Sequence, residues 1–138
     1  MKIQEIQEEI VEEFAAFDDW MDKYAYLIEL GGDLEPMPES FQKDENIIKG
    51  CQSRVWLHAE YNDGLMKYYA FSDAVIVKGI VALLLRVFSE QPPKDILEAK
   101  TDFISEIGLD EHLSPTRSNG LAAMVKQIKI YALAYSKA

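Results

Sequence analysis

Cysteine is nearly absent from this chain: Cys51 is the only one in 138 residues, and only two histidines accompany it. A lone thiol makes no intramolecular disulfide, no CxxC redox pair, and no zinc or iron–sulfur site that needs several thiolates. Long apolar runs are missing too. No stretch reaches the roughly eighteen residues that a membrane-spanning helix needs. The opening "MKIQEIQEEIVEEF" carries five acids in fourteen residues, unlike a signal or transit peptide. A cytoplasmic protein outside the membrane is expected. Bases are scarce, 14 against 24 acids, for a net charge of −10. Nucleic-acid backbones and anionic membranes draw affinity from lysine and arginine, so both are disfavoured as partners. Much of the excess acid reads as a solubilising coat, and a protein partner or a small substrate stays compatible.

What is present is enough apolar material for a core, 49% of the chain, and a length that suits one domain over residues 1–138. Ile3, Ile6, Ile10 and Phe14 recur at steps of three and four, which predicts an amphipathic helix. A second helix is predicted in "DDWMDKYAYLIELGG", with Trp20, Tyr24, Leu27 and Ile28 on one face and Gly31 and Gly32 ending it. The proline-bearing "DLEPMPESFQKDEN" reads as a surface loop.

The period then becomes two. Val55, Leu57, Ala59 and Tyr61 alternate with Arg54, Trp56, His58 and Glu60, "NDG" at 62–64 supplies a hairpin turn, and alternation resumes from Leu65 to Phe71. Strands near 53–61 and 65–72 are expected, with 46–50 adding a short third. "SDAVIVKGIVALLLRVF" predicts a helix buried on most sides, capped by Ser72 or Asp73 and stopped by "QPP". Short helices follow near "PKDILEA" and over 102–107, with Gly108 closing the latter. Ser114 and Pro115 then open a last helix, with Leu121, Met124, Val125, Ile128, Ala132 and Tyr135 on one face. This order describes an α+β fold, a small antiparallel sheet of about three strands covered on one face by helices.

Cys51 stands in "IIKGCQSRVWL", where Gly50 permits backbone angles closed to other residues and Gln52 and Ser53 are polar, so the cysteine falls in a tight turn. The residues alone leave two readings. Cys51 is a small buried plug, or it is a reactive thiolate favoured by Lys49, Arg54 and the turn's N–H groups. A cysteine hydrolase would also need a histidine base. His58 faces away from Cys51 if both share a strand, and His112 in "LDEHLS" reads as solvated.

The segments "GCQSRVWL" at 50–57, "SDAVIVKG" at 72–79 and "LSPTRSNGL" at 113–121 stand in the order and spacing of the SufE family, and the likeness extends through "KYAYLIELG" at 23–31 over nearly the whole chain. The sequence therefore resembles a SufE-type sulfur acceptor, whose fold is shared with IscU-like scaffold proteins. The resemblance implies that Cys51 takes persulfide sulfur from a cysteine desulfurase of the SufS or CsdA type, stimulating it, and relays the sulfur toward iron–sulfur cluster assembly, with the SufBCD scaffold complex a downstream acceptor. It implies no cofactor bound here, since the pyridoxal phosphate belongs to the desulfurase, and no bound metal. By this likeness the chain is a carrier and not itself an enzyme. Gly50, Gln52, Ser53, Trp56, Asp73 and Arg117 then support the cysteine loop or the partner. Arg117 stands in a helix's first turn, where the dipole disfavours a cation, so it suggests a contact with the Cys51 loop or the desulfurase, against a plain surface pairing with Asp110. The rival reading is a module that activates a desulfurase allosterically while Cys51 carries nothing.

Overall fold

The structure is a computed structural model that describes residues 2–50 and 54–136; Cys51, Gln52 and Ser53 lie outside the described residues. Helix α1, Ile3–Ala15, buries the predicted stripe Ile3, Ile6, Ile10 and Phe14. Asp19 caps α2, Trp20–Gly32, by accepting the Asp22 N–H at 2.9 Å. Trp20, Tyr24 and Leu27 of α2 reach the core, but Ile28 is 44% exposed. The face that packs is set by Leu27 and Gly31, the two buried residues of α2, and Ile28 lies beside it. The helix ends at Gly32, as expected, and Gly31 also meets Gly79 of α3, Val75–Phe88, where the two backbones approach too closely for a side chain.

The sheet has two strands, not three. β1, Val55–Asn62, pairs antiparallel with β2, Leu65–Ser72, in a register running from Val55↔Ser72 to Asn62↔Leu65. Asp63 and Gly64 turn the hairpin with φ of 53° and 82°, the left-handed pair that matches the twist of the flanking strands. The expected third strand shrinks to a bridge between Ile47 and Trp56, with the Ile48 N–H donating to the Val55 carbonyl at 2.8 Å. A 3₁₀ turn at Asp44–Asn46 and the positive φ of Gly50, 96°, leave too little extended chain between them for a ladder. The far edge of β2 is met by residues after α3, as Met66 N–H donates to the Gln91 carbonyl at 2.9 Å.

After α3 come α4 (Pro93–Glu98), α5 (Asp102–Glu106), a single-turn α6 (Leu109–His112) and α7 (Pro115–Ser136). Val55, Leu57, Met66, Tyr68 and Ala70 are buried on the inner sheet face, and α3 and α7 lie over it. Gly108, at φ 79°, separates α5 from α6, a helix that sequence periodicity cannot reveal in four residues. Ser114 Oγ accepts the Arg117 N–H at 3.3 Å at the start of α7. That helix buries Leu121, Met124, Ile128 and Ala132, with Val125 and Tyr135 at the margin. Tyr68 donates its hydroxyl to the Ile128 carbonyl at 2.8 Å, tying the sheet to α7.

One ionic knot joins the first three helices. Arg86 of α3 donates to Glu13 at 2.7 Å and to Glu9 at 2.7 Å on α1, while Tyr26 of α2 donates to Glu13. The Arg86 hydrogen bond holds the Glu13 carboxyl below its usual range, against the opposing pull of burial.

Candidate functional site at the open end of the hairpin

The described residues flanking Cys51 are joined by one hydrogen bond. The Ile48 N–H donates to the Val55 carbonyl at 2.8 Å, so the residues on either side of the Cys51 segment meet at the open end of the hairpin. Gly50 brings the chain against α7: a Cβ on it would stand 3.4 Å from that of Ala123, and its φ of 96° lies where other residues are strained. Behind the closing bond lies a small apolar void lined by Ile48, Val55, Leu57, Val81, Met124 and Ile128.

The other expected site residues fall in different relations to this loop. Asp73 follows Ser72, the register partner of Val55, so it stands at the same end of the hairpin and is exposed. Neither Ser72 nor Asp73 caps α3: the N-cap is Ala74, without a side-chain cap. Buried Ser72 accepts the Ala74 N–H at 3.2 Å and so shapes the corner between β2 and α3. Trp56 is half-buried on the outer sheet face, its ring 5.9 Å from that of Phe71 and stacked. Arg117 is exposed in the first turn of α7, six residues before Ala123, or roughly 9 Å along the axis. Asp110 accepts from Ser105 and, among the described residues, makes no ion pair with Arg117.

The histidines are engaged elsewhere. His58 stacks on Phe41 with centroids 3.7 Å apart and its Nε2 lies 3.3 Å from Glu60. His112 is exposed, as expected, but stacks on Trp20 at 3.9 Å, and its carbonyl accepts the Tyr24 hydroxyl. Among the described residues no group of three or more His, Cys, Asp or Glu is placed to hold a metal, and no helix is long and apolar enough to cross a membrane. Sequence reasoning missed Ala123 and Lys78. Ala123 is an inconspicuous member of α7, and Lys78, set in an apolar run, gave no sign that its ammonium reaches 5.2 Å from the Phe71 ring.

Residues 8–132 match the family model of SufE, the Fe-S metabolism associated domain. The chain belongs to the SufE family. It is 43% identical over 127 residues to an uncharacterized SufE-like protein of Rhizobium meliloti (strain 1021), covering 88% of this chain and 91% of that one. Its fold is similar to the solution structure of a hypothetical protein from Thermus thermophilus, at TM-score 0.81 and 21% identity over 96% of this chain and 97% of the other. An α+β SufE fold and a role in Fe-S metabolism follow.

Proposed function

We propose that Cys51 accepts sulfur from a SufS- or CsdA-type cysteine desulfurase and passes it to a downstream acceptor such as the SufBCD scaffold complex. The Cys51 thiolate attacks the terminal sulfur of the desulfurase's cysteine persulfide. A sulfur–sulfur bond forms at Cys51, the one in the desulfurase breaks, and its cysteine leaves as thiolate, with no net oxidation or reduction. Pyridoxal phosphate stays with the desulfurase. The observation that carries the reading is that the chain's only thiol falls in the family's motif, between Ile48 and Val55, in a chain matched by the family model over residues 8–132. A sole cysteine also suits a carrier, since a neighbouring thiol would attack the persulfide and release sulfide. A thiol sheltered from water until the partner docks would ionise less readily and would keep reductants from a bound persulfide. Gln52 and Ser53 flank the thiol in sequence, and Asp73 and Arg117 are assigned to loop or partner contact.

Replacing Cys51 with Ala tests the reading through desulfurase turnover. Stimulation by the wild-type chain that vanishes in Cys51→Ala supports acceptor chemistry. Stimulation that persists would instead mean allosteric activation with the thiol incidental.

A further inference from the structure

Helix α7 is apolar on two sides, and one of them faces water. Leu121, Met124, Ile128 and Ala132 are buried against the fold. On the outward side, Ala122, Lys126, Ile130, Leu133 and Ala134 follow at helical spacing and are all exposed, Ile130 at 47% and Leu133 at 48%. A surface helix ordinarily turns charged residues to water, as α1 does with Glu5, Glu8 and Glu12. The outward side of α7 does the reverse. The chain holds 24 acids, yet none falls in the 22 residues of α7, whose charged members are Arg117, Lys126 and Lys129. Lys129 donates to the Ala99 carbonyl at 2.7 Å on the flank toward α4. Lys126 is exposed and, among the described residues, forms no ion pair. Glu45 stands at a margin, beside Tyr131. The same helix reaches the residue before the thiol, since Ala123 meets Gly50 and Ile130 lies roughly 10 Å further along the axis.

We infer that Ala122, Lys126, Ile130 and Leu133 form the docking face for the protein that takes sulfur from Cys51, and that this acceptor presents an acidic, partly apolar surface to it. The inference rests on the proposed sulfur-acceptor function. Charge selects the occupant. A chain at −10 repels an acidic partner over most of its surface, whereas a helix without acids leaves Lys126 and Lys129 to attract one. Another exposed apolar stripe, Met21, Ala25 and Ile28 of α2, runs between Asp22 and Glu29 and would repel the same partner. A second copy of this chain is the poorer fit, because a two-fold contact would turn the same lysines toward one another. Ile130 and Leu133 supply the apolar centre of the contact, and the lysines steer approach. An acceptor held there stands about two helical turns from the contact with Gly50. Its thiolate takes the terminal sulfur of the Cys51 persulfide, and Cys51 leaves as thiolate with no net oxidation or reduction.

The test measures binding of the chain to the SufBCD complex of the same organism at several salt concentrations, and passage of labelled sulfur from loaded Cys51 to that complex. The variants are Ile130→Glu, Lys126→Glu and, as a control, Met21→Glu, an apolar-to-acid exchange at a residue 77% exposed on α2. Ile130→Glu should weaken binding at least about tenfold, mainly in off-rate, and slow sulfur passage with it. Lys126→Glu should cost about tenfold at low salt, mainly in on-rate, and less as salt rises. Met21→Glu should bind like wild type, and all three should still be loaded by the desulfurase. Should Ile130→Glu fold poorly by circular dichroism, Lys126→Glu and its salt dependence decide. Wild-type affinity in Ile130→Glu and Lys126→Glu, or an equal loss in Met21→Glu, overturns the docking face. So does a smaller sedimentation mass of Ile130→Glu with unchanged binding to the complex, which would give the face to a second copy. A loaded wild-type chain that neither binds the complex nor passes sulfur to it overturns the face and leaves sulfur acceptance standing, whereas no loading and no binding overturns both.

Discussion

Replacing Gly79 with Ala should separate α2 from α3. An added Cβ would stand 2.2 Å from the Leu27 carbonyl oxygen and 2.7 Å from its carbonyl carbon. Both are helix backbone atoms, so no rotamer relieves the clash, and the helices must part by roughly 1 Å to regain ordinary contact. Overpacking a tight interface costs about 1–3 kcal/mol, and rigid backbone on both sides puts this case at the upper end. Alanine recovers about 1 kcal/mol of helix propensity, leaving a net loss of about 2 kcal/mol. For a chain of this size that lowers Tm by roughly 6–8 °C. Gly31→Ala meets the Gly79 nitrogen at 2.9 Å and should lose about half as much. Gly32→Ala meets nothing within 4 Å and should be neutral or gain up to about 1 kcal/mol. Urea and thermal melts of the three variants give the order. Wild-type stability in Gly79→Ala, or equal damage from Gly32→Ala, would refute the close crossing.

The Arg86 knot makes stability depend on pH. Because the Glu13 carboxyl is held below the ordinary glutamate range, its contribution is complete above that range and disappears as pH falls through the lower folded-state pKa. Glu13→Gln should flatten the acid limb of a Tm-against-pH curve, and an unchanged limb would argue against the knot. Arg86→Ala should cost about 1–2 kcal/mol in urea melts, since the pair is only partly buried. Gly50→Ala, at φ 96°, should cost about 1–2 kcal/mol, read as a lower Tm; Cβ space near Ala123 is adequate, so a neutral result would mean the loop relaxes freely. Free Cys51 should alkylate slowly and then faster once the desulfurase is bound. Equal rates would count against a sheltered loop.

Periodicity was a sound guide wherever one face is buried. The α1 stripe, the hairpin with its Asp63–Gly64 turn and the α7 face each follow from spacing alone, because a side chain's direction repeats every 3.6 or two residues. Ile28 misled because an apolar residue at helical spacing can sit beside the packed face, and the determinant was Gly31, which works through having no side chain. The third strand misled because extended chain counts as a strand only if long enough to ladder, and Gly50 turns it away. Ser72 has a good capping side chain, yet the last β2 residue is buried before the helix begins, so its hydroxyl serves a corner. For the site, "GCQSRVWL" marked the thiol through family resemblance. Asp73 was tied to the loop through the resemblance alone; its position at the same end of the hairpin as Val55 comes from the strand register. Lys78 over Phe71 was hidden, since helix and strand meet there only through the fold.

The central claim is that Cys51 carries sulfur. Intact mass spectrometry after mixing the chain with a SufS-type desulfurase and cysteine, with and without reductant and with Cys51→Ser alongside, addresses it directly. The account predicts a gain of one or more sulfur masses that reductant removes and Cys51→Ser lacks. No gain in the wild-type chain, with a desulfurase shown to be turning over cysteine, would contradict it.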